Sequence, residues 1–299
     1  MTDAADAPFS KDHRLCGSAQ GQPECGNPKD FFGQGIVAFL DILGFSEEVA
    51  RNWGEHHHSA LRKLLRMKVA IPNDSWQIRF SLYSRKPGDI ATYACRICTL
   101  SDSIAISVAL PEKVPWAEFS IALMSCTNNI IQVWKACIRE GFTLRGGLEI
   151  GPVYWSGSEI IGPALGVALD VEKKLANSSR VMIGPRLTQA LIQLYPSYTR
   201  DNGILSPLPF MCVDGDGAVV VNPGFLTGNR NDDPEGLVKA LESMQANCAF
   251  DEKRANKYMP LLYWLRQPEN IAIPTIDNLK QYLSRFIIKE FPTPTGMMP

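Results

Sequence analysis

One apolar run limits what this chain can fold into. Residues 36–40 are consecutive apolar residues, and Asp41, Gly44 and Ser46 follow them closely. An unbroken apolar run indicates a strand buried on both faces of a sheet, since a half-buried strand would alternate. A carboxylate ending such a strand needs a metal, a cation or water. The glycine permits close approach of a ligand, and the serine is a candidate helix N-cap. A plain strand-to-helix turn with a solvated aspartate would show the same pattern.

Length and charge restrict the class of protein. With 299 residues and 45% hydrophobic content, the chain can form one large domain or two small ones around an ample core. Its 30 lysines and arginines nearly balance 31 aspartates and glutamates. We therefore expect no binding to nucleic acid or to an anionic membrane, and any phosphate recognition must come from a local site.

The cysteines and the N-terminus indicate a cytoplasmic protein. No apolar run has the length of a membrane span, and the first residues lack the basic and apolar parts of a signal peptide. The eight cysteines show no framework spacing, so free thiols are expected. Cys95 and Cys98 have CxxC spacing on a predicted strand, where they would point to opposite faces and could not share a metal. The 56–58 histidines are expected on a solvated helix face.

Local patterns predict the order of the elements. A poorly ordered tail is predicted over residues 1–33 and is followed by the opening strand, a helix over 46–70 and a hairpin over 91–110 with Asp102 at its tip. Next come a helix over 115–140, a strand over 142–150 that turns at 151–152, and a helix over 164–177. The remaining predicted elements are a strand over 181–183, a helix over 186–194, a hairpin over 210–221, and helices over 234–265 and 276–289. In the 164–177 helix, Glu172 is expected to face outward with Lys173 and Lys174.

This order predicts an α+β fold with a mostly antiparallel sheet covered by helices. The domain boundaries would be a tail over 1–33, a catalytic domain over 34–222 and a mainly helical C-terminal extension over 223–299. The Asp-Gly-Asp-Gly loop at 214–217 is interpreted as a hairpin turn, because the ligand spacing of a calcium loop is absent.

Three stretches carry a resemblance to a known family. They are Phe-Leu-Asp-Ile-Leu-Gly-Phe-Ser over 39–46, Leu-Ser-Asp-Ser-Ile over 100–104 and Leu-Arg-Gly-Gly-Leu-Glu-Ile-Gly-Pro-Val over 144–153. In this order and spacing they resemble the motifs of class III nucleotidyl cyclases, over about residues 35–200. The resemblance implies a ferredoxin-like sheet and an attack of the ribose 3′-hydroxyl on the α-phosphate of a nucleoside triphosphate.

The resemblance also implies roles for individual residues. Two divalent ions, Mn²⁺ or Mg²⁺, would be bound by Asp41 and Asp102 with help from the carbonyl of Ile42. Arg145 would be the catalytic phosphate cation, because its planar fork suits phosphate oxygens. Together with the main chain of Ile42, the residues that would bind the β- and γ-phosphates are Gly44, Phe45 and Ser46.

Departures from the family pattern concern the base. Cys98 stands where purine cyclases carry a base-reading lysine, and the partner aspartate falls at about Glu159. The ribose-orienting asparagine and the transition-state arginine would align with Gly166 and Asp170. A site without donors and acceptors fitted to adenine or guanine should not select those bases. The chain is therefore either inactive or specific for another base.

Further stretches resemble the pyrimidine cyclases of the Pycsar anti-phage systems. They lie at 161–165, 168–172, 179–181, 214–217 and 257–258. The resemblance implies a uridylate cyclase that converts UTP to cyclic UMP, which a separate effector protein reads. It also implies a homodimer with active sites shared between subunits. A cytidylate cyclase acting on CTP and an inactive nucleotide sensor remain alternatives, and a diguanylate-cyclase-like enzyme is disfavoured because its acidic loop signature is missing.

Overall fold

The structure is a computed structural model that describes residues 30–52, 59–70, 78–81, 90–110, 116–156, 159–200, 206–227, 233–248 and 251–288. The predicted tail, up to residue 29, and the 56–58 histidines lie outside these residues. The first strand begins at Asp30 rather than after residue 33. Within the described part of the chain, every helix is too short or too polar to cross a membrane.

The first two thirds of the chain contain strands and helices in groups, and the last third is mainly helical. The strands are β1 (Asp30–Leu43), β2 (Ile78–Ser81), β3 (Ile90–Tyr93), β4 (Cys95–Leu100), β5 (Ser103–Leu110), β6 (Thr143–Ser156), β7 (Glu159–Ile161), β8 (Val181–Ile183), β9 (Met211–Val213) and β10 (Val219–Val221). The helices are α1 (Phe45–Asn52), α2 (Ser59–Ala70), α3 (Trp116–Arg139), α4 (Pro163–Leu175), α5 (Pro185–Arg200), α6 (Pro234–Ala246), α7 (Glu252–Arg266) and α8 (Ile276–Ile288). Short 3-10 helices occupy Leu208–Phe210, Pro223–Leu226 and Pro268–Asn270.

The main sheet has the strand order β4-β5-β1-β6-β8-β10-β9, and β7 extends from β6. All pairs are antiparallel except β6 with β8. The four neighbouring strands β4-β5-β1-β6 form a split βαβ arrangement of the ferredoxin type. Along the chain, α1 and α2 follow β1, and α3 connects β5 to β6. The predicted α+β class with a mostly antiparallel sheet is therefore confirmed.

Helices cover the two faces of this sheet by different means. On one face, α3 packs its buried side chains against Ile36, Ala38 and Leu40 of β1. On the other, α4 lies directly on β6, and Gly147 makes this possible. A Cβ at Gly147 would lie 2.1 Å from the carbonyl oxygen of Ala168, so any side chain there would push the helix away.

Several predicted boundaries differ from the observed ones. The helix predicted over 46–70 is two helices, α1 and α2, separated by residues outside the description. The predicted turn at 151–152 is wrong, because β6 continues through it and pairs with β1 along its whole length. The hairpin with Asp102 in its turn is confirmed, although it begins at Cys95, since β3 pairs with β2 in a separate sheet.

The C-terminal helices are joined to the sheet rather than set apart from it. The Tyr282 hydroxyl of α8 is buried and donates to the carbonyl of Ile183 in β8, at 2.8 Å. The carbonyl of Lys257 in α7 accepts from the amide of Ser179, at 2.8 Å. Next to it, the Tyr258 hydroxyl would lie 3.5 Å from a Cβ added at Gly44. Helix α7 therefore supports the turn that follows β1.

Candidate active site

Three neighbouring strands bring the three motif residues to one end of the sheet. Asp41 near the end of β1 lies opposite Ser103 of β5 on one side and Arg145 of β6 on the other. The amide of Ile42 donates to the carbonyl of Asp102 at 3.0 Å. Opposite residues in antiparallel strands are about 5 Å apart. Residues far apart in sequence thus share one small region.

The tip of the β4–β5 hairpin is tied to the start of α1. Ser101 adopts a left-handed conformation with φ of 51°, which closes the two-residue turn around Asp102. The Ser46 hydroxyl donates to Oδ2 of Asp102 at 3.1 Å. This contact holds the Asp102 carboxylate next to the first turn of the helix.

A glycine turn connects β1 to α1. Gly44 has φ of 91°, a conformation that favours glycine, and its carbonyl accepts from the amide of Glu48 at 3.0 Å. The helix begins at Phe45, so Ser46 lies in the first turn and the predicted N-cap role for it is wrong. The first amides of a helix lack partners within it and can bind anions. The turn from Gly44 to Ser46 therefore offers main-chain donors beside the two aspartates.

Arg145 contacts two carboxylates at once. Its Nε donates to Oδ2 of Asp41 at 3.0 Å and lies 2.7 Å from Oε1 of Glu172 in α4. The Arg145 and Asp41 side chains are 32% and 24% exposed, whereas the Glu172 side chain is 3% exposed. Burial raises the pKa of the Glu172 carboxyl, Arg145 opposes this shift, and the nearby Asp41 charge adds to it.

Glu172 is the residue that sequence reasoning missed. It was expected to face solvent with Lys173 and Lys174. In the structure its side chain is buried instead, on the side of α4 that faces Arg145 of β6. A signal was present, because Glu172 lies four residues after Ala168 and three before Leu175. Positions at this spacing share one helix face, and that face is the apolar one.

The two candidate base-binding residues do not meet within one chain. Cys98 is buried on β4, in the row of opposed residues that runs through Ala105 to Phe39. Glu159 is exposed and pairs with Ser156, at the far end of β6. Since β1 and β6 stay in register from there to Asp41, about 35 Å separates Glu159 from Asp41.

Two further residues aligned with the family motif lie on α4. Gly166 is exposed, and Asp170 pairs with Lys174 on the same helix at 3.1 Å. The backbone of Tyr93, which was considered as a space-filling neighbour of the base, belongs to β3, outside the main sheet.

Other possible metal sites are explained by packing. Cys95 and Cys98 both lie on β4 as predicted, and their thiols belong to different apolar clusters on its two faces. Asp214 and Asp216 flank a hairpin turn, as predicted, and both bind Arg180. Among the described residues, no three His, Cys, Asp or Glu side chains are grouped closely enough to hold a metal ion.

Comparisons with known proteins give distant structural likenesses only. No protein-family model and no curated protein matches the chain. A class III adenylyl cyclase-like ATP-binding protein from Pseudomonas aeruginosa shares 15% identity at a TM-score of 0.37, over 56% of this chain and 37% of that one. The adenylyl cyclase CyaB from P. aeruginosa shares 15% identity at a TM-score of 0.36, over 64% of this chain and 93% of that one. The chain thus spans little more than a third of the length of the first of these proteins.

Proposed function

We propose that this chain is a nucleotidyl cyclase that converts UTP to 3′,5′-cyclic UMP and pyrophosphate. One observation carries the proposal. Two aspartates and an arginine that resemble cyclase motifs in sequence lie at the same end of three adjacent strands, beside a glycine turn and a helix start. Placement of this kind is what cyclisation requires, because one site must bind both the reacting phosphate and its leaving group.

The donors at this end of the sheet fit divalent cations. Asp41, Asp102 and the carbonyl of Ile42 would bind them, since carboxylate and carbonyl oxygens are the ligands that Mg²⁺ and Mn²⁺ prefer. Both carboxylates are partly exposed, so a ligand can reach them. Two ions bound there would lower the pKa of the ribose 3′-hydroxyl and neutralise charge on the leaving pyrophosphate.

The chain's own groups would then orient the triphosphate. Main-chain amides from Gly44 to Ser46 would donate to the β- and γ-phosphates at the start of α1. Arg145, in the next strand, would donate to a phosphate oxygen through its guanidinium. A bond forms between the ribose 3′-oxygen and the α-phosphorus, and the bond from the α-phosphorus to the oxygen that bridges it to the β-phosphorus breaks. Pyrophosphate leaves, and the proton of the 3′-hydroxyl passes to solvent water.

Pyrimidine selectivity would come from the row of residues behind Asp41. Cys98 is a short side chain in place of a long cation, and Phe39 is the large neighbour on the same face of the sheet as Asp41. A bulky ring here would reduce the space for a purine. In this proposal uracil is preferred to cytosine. The two bases differ only by an exchange of acceptor for donor at one ring edge, so a cytidylate cyclase is the alternative.

A homodimer would complete the site. Within one chain Glu159 lies about 35 Å from Asp41, so Glu159 can contact a base bound near Asp41 only from a second subunit. Mixing Asp41→Ala protein with Glu159→Ala protein should restore part of the activity through heterodimers. If the subunits exchange and no activity returns, the shared site is wrong.

The proposed role is production of a cytoplasmic second messenger for anti-phage defence, read by a separate effector protein. This role rests on the resemblance of residues 161–165, 168–172, 179–181, 214–217 and 257–258 to pyrimidine cyclases. An inactive nucleotide sensor is the alternative. The presence of both Asp41 and Asp102 favours an enzyme, since a site that has lost catalysis no longer needs its metal ligands.

The test is a competition assay with the full chain. The purified protein is incubated with equal concentrations of ATP, GTP, CTP and UTP and Mn²⁺, and products are identified by mass, with Asp41→Ala as the blank. We expect cyclic UMP. Cyclic CMP would reverse the choice of base, and cyclic AMP or cyclic GMP as the main product would overturn pyrimidine selectivity. Nucleotide binding without any cyclic product would identify a sensor.

A further inference from the structure

One N–H group in the candidate site faces two acceptors. The Nε–H of Arg145 donates to Asp41, at 3.0 Å, while Oε1 of Glu172 lies 2.7 Å from the same nitrogen. That Glu172 oxygen is buried and has no hydrogen-bond partner among the described residues. A single N–H cannot satisfy both carboxylates fully, and here it is aimed at Asp41.

We propose that Arg145 is a movable cation shared by Asp41 and Glu172, and that Glu172 is the positioning residue that keeps it at the site. In the structure Arg145 pairs with Asp41. When Asp41 binds a divalent cation, the Nε–H of Arg145 changes its hydrogen-bond acceptor from Asp41 to Glu172. Arg145 keeps its proton and stays beside the position of the phosphate. This inference rests on the proposed function, because it assumes that Asp41 binds the metal.

Burial explains why the transfer is favourable. A buried carboxylate oxygen without a partner is costly, so Glu172 gains a hydrogen bond when Arg145 leaves Asp41. Asp41 is more exposed than Glu172 and can exchange the arginine for a metal or for water more easily. Helix α4 holds Glu172 in place, since it packs on Gly147, two residues after Arg145.

Opposite effects on metal binding follow from this arrangement. Arg145 competes with the metal for Asp41, so removing Arg145 should strengthen metal binding. Glu172 draws Arg145 away from Asp41, so removing its charge should weaken metal binding. A residue that merely supports the fold would not produce effects of opposite sign. The effect of Glu172 should also depend on the presence of Arg145.

The experiment measures Mn²⁺ binding to the nucleotide-free full chain by electron paramagnetic resonance. The variants are Arg145→Met, Arg145→Gln, Glu172→Gln and the double variant Arg145→Met/Glu172→Gln. Asp41→Asn tests the metal site itself. Glu242→Gln on α6 is the charge-matched control, because that carboxylate pairs with Arg266 in a different part of the molecule. Circular dichroism confirms that each variant is folded.

We expect Arg145→Met to tighten Mn²⁺ binding and Glu172→Gln to weaken it, each by about threefold to tenfold. Glu172→Gln should have little effect once Arg145 is removed. Arg145→Gln should match Arg145→Met and replaces it if that variant is unfolded. Unchanged or weaker binding without Arg145 would overturn the proposal, as would equal weakening by Glu172→Gln in both backgrounds. A wild-type protein that binds no Mn²⁺, or an Asp41→Asn protein that binds it normally, would overturn the metal site of the proposed function as well.

Discussion

Two arginines in this chain each lie between two carboxylates, and they are held very differently. Arg180 is 9% exposed, and its Nη1 donates to Asp214 at 2.5 Å and to Asp216 at 3.0 Å. Its Nη2 donates at 3.1 Å to the carbonyl of Leu175, the last residue of α4. Arg145 is 32% exposed and directs one Nε–H to one of two close carboxylates.

The difference shows which cluster is structural. The Arg180 cluster consists of Arg180, Asp214 and Asp216, and the Arg145 cluster consists of Arg145, Asp41 and Glu172. The Arg180 cluster joins the end of α4 to the β9–β10 hairpin, and Arg285 of α8 also donates to the carbonyl of Asp216. Its charges stabilise each other, so the pKa of Arg180 is raised against the effect of burial. In the Arg180 cluster both carboxylates pair with the arginine, although its own Nε has no hydrogen-bond partner among the described residues. In the Arg145 cluster the buried Oε1 of Glu172 lacks a hydrogen bond, and Asp41, which shares Arg145 with Glu172, is partly exposed. A buried carboxylate oxygen without a partner requires a physical explanation, and a role in ligand binding supplies one.

The largest expected effect concerns Asp41 and Asp102, the two aspartates proposed to bind the metal ions. Asp41→Ala or Asp102→Ala should lower the rate of cyclic nucleotide formation by about a thousandfold or more, because each removes a ligand worth several kcal/mol to the transition state. Both side chains are partly exposed, so the melting temperature should change little. Activity is measured at saturating Mn²⁺ beside Glu242→Ala. Near wild-type turnover in either variant would remove the distinction between the two clusters.

The second prediction compares the two arginines by stability. Arg180→Met should lower the free energy of unfolding by about 3 kcal/mol, because it removes the buried cation that pairs with the Asp214 and Asp216 carboxylates and with a helix-end carbonyl. Arg145→Met should cost only about 1 kcal/mol, since Asp41 is solvated and Glu172 can take up a proton. Urea denaturation at pH 7 measures both values. Equal losses would show that the Arg145 cluster is as structural as the Arg180 cluster.

Another buried carboxylate, that of Glu149, sharpens the comparison, because among the described residues its hydrogen-bond partners are main-chain amides and no cation. Glu149 is fully buried and accepts from the amides of Ile150, Arg186 and Leu187. Burial raises its pKa to about 7, and these amides and the charge of Arg186 oppose the shift. The folded state therefore holds a proton that the unfolded state has lost, and stability should fall as the pH rises from about 4.5 to about 7.

Glu149→Gln should abolish this pH dependence, which amounts to about 2 kcal/mol for a shift of this size. Urea denaturation of wild type and variant at pH 5 and pH 7 measures the difference. Asp216 provides the contrast, since hydrogen bonding by the Ala218 amide and the charge of Arg180 lower its pKa despite burial. The contribution of Asp216 to stability is fully present above the ordinary pKa of an aspartate, and it is lost as the pH falls through the lowered pKa of the folded state. A wild type whose stability does not fall between pH 5 and pH 7 relative to the variant would contradict the Glu149 assignment.

Much of the fold could be predicted from local patterns. The buried strand before Asp41, the hairpin with Asp102 in its turn and the Asp-Gly hairpin at 214–217 all depend on short-range rules of periodicity and turn chemistry. Long-range pairing was harder. The turn expected after Ile150 is absent because β6 continues along β1 through Gly151 and Pro152, and the partner strand decides that.

The sequence by itself determined which residues can do chemistry here and the order in which they occur along the chain. Tertiary structure decided which of them meet. Strand pairing brings Asp41 beside Arg145 and the Asp102 turn, and it places Glu159 at the opposite end of the same two strands. Glu172 was expected at the surface, but α4 packs closely on Gly147, and Glu172 is therefore a buried partner of Arg145. The physical reason is that burial depends on what packs against a residue, and periodicity within one helix shows only which residues share a face.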